Sequence, residues 1–146
     1  MEQNEIRKLL QNVADGNISA DDALLQIKNE PFEDLGYAKP DFQRKSRKGV
    51  SEVIYGAGKT AGQIIGISKS FAEHSQKDIL ITRLDKTKAE EINKEIPLNY
   101  YDTANIGIIG SMPQKRIGKI VIAAGGTSDI PVAEEVAITA EMLGNN

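Results

Sequence analysis

The sequence predicts an α/β protein: a helical hairpin, then a small sheet domain with a βαβ unit, then the first βα unit of a further parallel sheet. Three observations carry that expectation. Apolar residues in the first thirty positions recur at helical spacing. Two short apolar runs flank a helical stripe between positions 53 and 83, and a five-residue apolar run at 120–124 leads through Gly125-Gly126 into a closing helix. At 146 residues, 40% hydrophobic and 27% charged, the chain is that of an ordinary folded protein, long enough for one globular domain with a sizeable core or for one small domain plus the beginning of another.

In chain order, Ile6, Leu9, Leu10 and Val13 form the first stripe, and Asp15-Gly16-Asn17 supplies its stop. Ser19 caps a second helix with Asp21 and Asp22 in its first turn and Ala23, Leu24 and Ile27 on its buried face, ended by Pro31. Strand 52–55 is followed by Gly56-Ala57-Gly58-Lys59-Thr60, a helix with Ile64, Ile65, Ile67 and Phe71 on one stripe, and a buried strand at 78–83. That order makes a right-handed parallel unit. A helix at 86–95 follows, with its charges on the outer face. Strands at Tyr100-Tyr101 and 106–109 flank the turn 102–105, and 113–119 reads as a linker. Lys119–Ala124 is expected as a strand buried on both faces. The last helix carries Ala133, Val136, Ala137 and Ala140 on one face, continued by Leu143, and ends at Gly144.

The chain has no Cys, which excludes disulfides, Cys-ligated zinc, iron–sulfur clusters and thiolate nucleophiles within it. One His, His74, is too few for a His-rich metal site, so no metal ligand is assigned; at the end of a helix it reads as a cation placed by the dipole. Net charge −3, no Trp and 5% aromatic residues argue against DNA or RNA as partners. The acidic amino terminus and the absence of any apolar run near the ~20 residues of a membrane span lead to the expectation of a cytoplasmic protein with no membrane partner.

Three segments could carry chemistry. Gly125–Asp129 joins an apolar run to a helix, where glycines admit a phosphate or carboxylate and hydroxyls add donors; a plain helix cap is the competing reading. Gly56-Ala57-Gly58-Lys59-Thr60 is not a phosphate loop, because Val53 stands where that pattern needs glycine; it reads first as a plain turn, the alternative being a glycine turn that opens a helix at Thr60 with Lys59 near a bound anion. Asp41, Arg44 and Arg47 are spaced by three, so one helical turn would align two guanidinium forks; a solvated loop pairing with Glu33 and Asp34 is the alternative. Between 36 and 60, six basic residues face two acidic ones, a local excess of four in an acidic chain.

Pro31-Phe32-Glu33-Asp34-Leu35-Gly36-Tyr37-Ala38, the run from Asp41 through Arg44, Arg47, Gly49 and Glu52-Val53-Ile54-Tyr55 to Gly58-Lys59-Thr60, and Gly126-Thr127-Ser128-Asp129-Ile130-Pro131-Val132-Ala133-Glu134-Glu135 resemble the LarB-type pyridinium-3,5-biscarboxylic acid mononucleotide synthases. The resemblance runs through essentially the whole chain. It implies an N-terminal α/β domain at 1–116 and the beginning of a PurE-like (aminoimidazole ribonucleotide carboxylase-like) domain at 117–146. It further implies carboxylation of C5 of the pyridinium ring of nicotinic acid adenine dinucleotide and hydrolysis of its phosphoanhydride to release AMP. That is the first step toward the nickel-pincer nucleotide cofactor. The co-substrate is CO₂ or bicarbonate, with no covalently bound cofactor and with room for Mg²⁺.

By the same resemblance, Ser128 and Asp129 belong to the catalytic pocket and Gly126 and Thr127 bind substrate, although Gly126 stands where the PurE-type turn has its first serine. Arg44, Arg47 and Lys59 are assigned to the dinucleotide's phosphates on the local basic excess. The full-length family member is expected as a homo-octamer. The family's nucleophilic cysteine has no counterpart here, so the chain is expected to be a truncated form or a fragment, inactive alone. A PurE-type purine carboxylase and a non-catalytic nucleotide-binding or assembly module are the alternatives.

Overall fold

The computed structural model describes residues 3–28, 35–42 and 52–146. The motif residues 31–34 and the expected guanidinium pair Arg44 and Arg47 lie outside the described residues. The chain divides into two compact units, Met1–Glu52 and Val53–Asn146.

In the first unit the amphipathic stripe forms α1 (Gln3–Ala14), which stops where Gly16 adopts φ +75°, a left-handed conformation open to glycine. Ser19 caps α2 (Ala20–Lys28): its Oγ accepts from the Asp22 N–H at 3.0 Å. Leu9 and Ala23 are buried, but Leu10 and Leu24, both expected inside, are about half exposed. Neighbouring residues stand about 100° apart on a helix, so one line of contact between two short helices cannot cover both members of a pair such as Leu9-Leu10.

The second unit is built on the predicted parallel pair. β1 (Val53–Tyr55) lies beside β2 (Ile79–Thr82) with Val53 opposite Leu80 and Tyr55 opposite Thr82. The crossover is α3 (Ala61–Glu73). Thr60 and Gln63 form a capping box at its start: Thr60 Oγ1 accepts from the Gln63 N–H, and Gln63 Oε1 accepts from the Thr60 N–H. Ile64, Ile65, Ile67 and Phe71 are all buried, as the stripe predicts. His74 ends the helix, with Nδ1 2.9 Å from the Ser70 carbonyl.

α4 (Lys86–Asn93) begins at Asp85 and leads to an antiparallel hairpin of β3 (Leu98–Tyr101) and β4 (Ile106–Ile109). β4 pairs antiparallel with β2, giving a four-stranded mixed sheet in the order β1-β2-β4-β3. Strand alternation turns Leu80, Ile106 and Ile108 to one face, where they form a core with Ala104 and with Ile138 of the last helix, α5 (Ile130–Met142). Ile79, Ile81, Gly107 and Ile109 face the other side. Among the described residues no helix is long and apolar enough to cross a membrane.

Two expectations near the end of the chain are corrected. Lys119–Ala124 is not a strand: it is irregular, with Ile120 46% and Val121 83% exposed. A β-branched run pairs only where a strand edge is offered, and the ladder contacts here are single, Ile117 N–H to Gly144 O and Ile120 N–H to Asn146 O, both 2.7 Å. The inward face of α5 is also different. Ile138 is its buried residue, while Val136 and Leu143 are nearly half exposed, because the sheet selects the side nearest Leu80 and Ile108.

Candidate functional site

Parallel pairing brings the carboxyl ends of β1 and β2 to one edge, and the tightness there explains Gly56. Its N–H donates to Thr82 O at 2.8 Å, and a Cβ at this position would stand 3.0 Å from Thr82 O and 3.2 Å from Arg83 O. The backbone turns at once: the Lys59 N–H donates to Gly56 O at 3.2 Å, and Lys59 Nζ donates to Tyr55 O at 3.1 Å. Gly58, by contrast, faces open space.

A second ammonium group reaches the same turn from α4. Lys88 Nζ lies 2.9 Å from Asp85 Oδ2 and donates at 3.4 Å to Gly56 O, and its side chain is only 25% exposed. Sequence reasoning placed this residue among the outward charges of its helix. Its signal is weak in the sequence because it stands 32 positions from Gly56 and becomes a neighbour only when α4 docks. Asp85 accepts from the Lys88 N–H, and that bond, then the Lys88 ammonium, holds its carboxyl below the ordinary carboxylate value.

Arg83, the residue after β2, sits at φ +54° and pairs with Glu135 of α5 at 3.2 Å. With Glu135 beside Arg83 and Ile138 on Leu80, α5 runs antiparallel to β2. Gly126–Asp129 lies at the amino end of this helix.

Thr127–Asp129 form a single 3₁₀ turn closed by the Asp129 N–H to Gly126 O at 3.0 Å. Ser128 Oγ and Asp129 Oδ2 both fold back over Gly126, each 3.9 Å from the point a Cβ there would occupy. Gly126 has an extended backbone, φ −154°, so a serine would fit at that position. Pro131 occupies the first turn of α5, as expected, yet neither the turn nor α5 receives a side-chain capping bond. Asp129 thus holds the N-cap position that the cap reading expects, but its side chain makes no capping bond, and Ser128 and Asp129 are both exposed. The structure brings Ser128 together with Asp129 over Gly126, and it sends Lys59 and Lys88 to the carbonyls of consecutive residues, Tyr55 and Gly56. Among the described residues no group of three or more His, Cys, Asp or Glu is placed to hold a metal ion.

A four-stranded mixed sheet with a parallel pair, its crossover helix and further helices defines an α/β protein. Residues 32–111 match the family of LarB/PurE-like N-terminal domains, and the chain belongs to that family. It is also similar to an uncharacterized protein of Methanocaldococcus jannaschii, 35% identical over 148 aligned positions that take in 95% of this chain and 57% of that protein. The chain thus spans a little over half the length of the curated relative it matches.

Proposed function

We propose that the chain contributes to a LarB-type synthase that carboxylates nicotinic acid adenine dinucleotide and cleaves its phosphoanhydride, giving the pyridinium-3,5-biscarboxylate mononucleotide and AMP. The observation that carries this reading is the pair Ser128 and Asp129, exposed and free of capping duty over Gly126, within a chain of this family. A pyridinium carbon is electron-poor and cannot attack CO₂. Addition of a thiolate to the ring gives a neutral enamine-like species whose C5 can; loss of the C5 proton and expulsion of sulfur then restore the aromatic ring.

This chain has no cysteine, so the thiolate comes from another part of the enzyme. The roles left to this chain are binding and proton handling. Ser128 and Thr127 donate hydroxyl hydrogen bonds to the nascent carboxylate or to phosphate, and Asp129 accepts a ribose hydroxyl or the ring proton. Arg44, Arg47 and Lys59 are proposed as ligands of the phosphates, the two arginines through guanidinium forks. CO₂ or bicarbonate is the co-substrate, and the assembled enzyme is a homo-oligomer.

Calorimetry with the dinucleotide, AMP and aminoimidazole ribonucleotide tests the reading. The dinucleotide and AMP bind and the ribonucleotide does not; the joint change Arg44→Ala, Arg47→Ala weakens dinucleotide binding at least tenfold. Preferential binding of the ribonucleotide would favour a purine-type carboxylase instead, and binding of none would favour an assembly role.

A further inference from the structure

The turn after β1 gathers more positive charge than its structural role requires. Lys59 Nζ and Lys88 Nζ, from separate elements, are drawn to the carbonyls of consecutive residues, Tyr55 and Gly56. Asp85 pairs with Lys88, and the Lys59 ammonium has a neutral carbonyl as its partner. A neutral carbonyl balances an ammonium poorly, and each ammonium has three donors, so both keep hydrogen-bonding capacity in hand. Between them the main chain is also open: among the described residues, the Ala57 and Gly58 N–H groups have no protein acceptor. Around Gly58 no atom stands within 4 Å of a would-be Cβ.

We propose that Lys88 and Lys59 together form a diphosphate-binding cradle over the Tyr55-Gly56 turn, with the Ala57 and Gly58 amides as further donors. Two ammonium groups on different carbonyls suit an anion with two charged centres better than a single phosphate. The partly covered position of Lys88 makes its charge less screened by water than that of a surface lysine. An incoming phosphate oxygen replaces a carbonyl at each Nζ, and charge-assisted bonds replace weaker ones. The choice of diphosphate rests on the dinucleotide reading above; the cradle itself rests on the geometry.

The probe is inorganic pyrophosphate titrated into the isotope-labelled 146-residue chain, followed by amide resonances. The Ala57, Gly58 and Lys59 amides shift and saturate. Lys59→Gln and Lys88→Gln each weaken binding about tenfold, while Lys88→Arg stays within about threefold. Asp85→Asn keeps a capping side chain, removes the competing charge and tightens binding. Silent amides at 57–59, or unchanged affinity in Lys88→Gln with weaker affinity in Asp85→Asn, overturn the cradle. If pyrophosphate binds there but the dinucleotide does not compete, the cradle stands and the dinucleotide reading falls. If the dinucleotide binds and leaves these amides unmoved, the cradle falls and that reading stands.

Discussion

Gly56 and Gly58 look equivalent in the sequence, two glycines flanking an alanine before Lys59, yet they carry different loads. At Gly56 a methyl group meets two main-chain oxygens of β2 and the residue beyond it, at 3.0 and 3.2 Å, and main chain cannot swing aside as a side-chain tip can. Gly56→Ala should therefore cost about 1–3 kcal/mol, with the β1–β2 pairing strained, whereas Gly58→Ala should stay within about 0.5 kcal/mol. Urea denaturation of the two variants checks this; equal midpoints would contradict the tight approach. Single residues of the candidate site were partly legible in the same way. Ser128 and Asp129 stood out because glycines and a helix start surround them, while Lys88 did not, since one lysine among the charges of a short helix carries no local mark of the carbonyl it will reach.

At the scale of elements, the capped helices and apolar strands follow local chemistry. Ser19, Thr60 and Asp85 each cap the helix that follows, and Ser19 is recognisable from the acidic first turn beside it. α5 shows where local reasoning stops. It is apolar on several sides, so periodicity alone does not choose its buried face: of the expected residues Ala133, Ala137 and Ala140 are half-buried and Val136 is exposed, while Ile138 is the buried one. Ile138→Ala should destabilise the chain by about 2–5 kcal/mol, because Ile138 is 7% exposed within the Leu80 and Ile108 cluster. Val136→Ala should change stability by no more than about 0.5 kcal/mol. Thermal unfolding of both variants decides which face is inside. The run Lys119–Ala124 makes a related point: its composition is that of a buried strand, but strand formation needs a neighbouring edge, and none is paired along it.

For the molecule as a whole, family membership is carried by residues 32–111, while the chemistry proposed for the enzyme needs a sulfur nucleophile that these 146 residues lack. Purified chain given the dinucleotide and bicarbonate should yield no dicarboxylated mononucleotide by mass spectrometry; a cysteine-bearing PurE-like segment supplied with it should restore turnover. Product from the chain alone would refute the assigned chemistry. The relative from M. jannaschii aligns over 57% of its own length, which leaves ample sequence in that protein outside the matched region.

The amino-acid sequence by itself determined the α/β class, the capped helices, the parallel β1–β2 crossover and the glycine turns, because each depends on hydrogen bonds and apolar spacing within a few residues or across one crossover. Only the tertiary structure decided which side of α5 is buried, that 119–124 stays irregular, and that Lys88 joins Lys59 at the turn after β1. Those outcomes depend on which surfaces meet when distant elements pack, and a linear pattern of side chains holds no record of that competition.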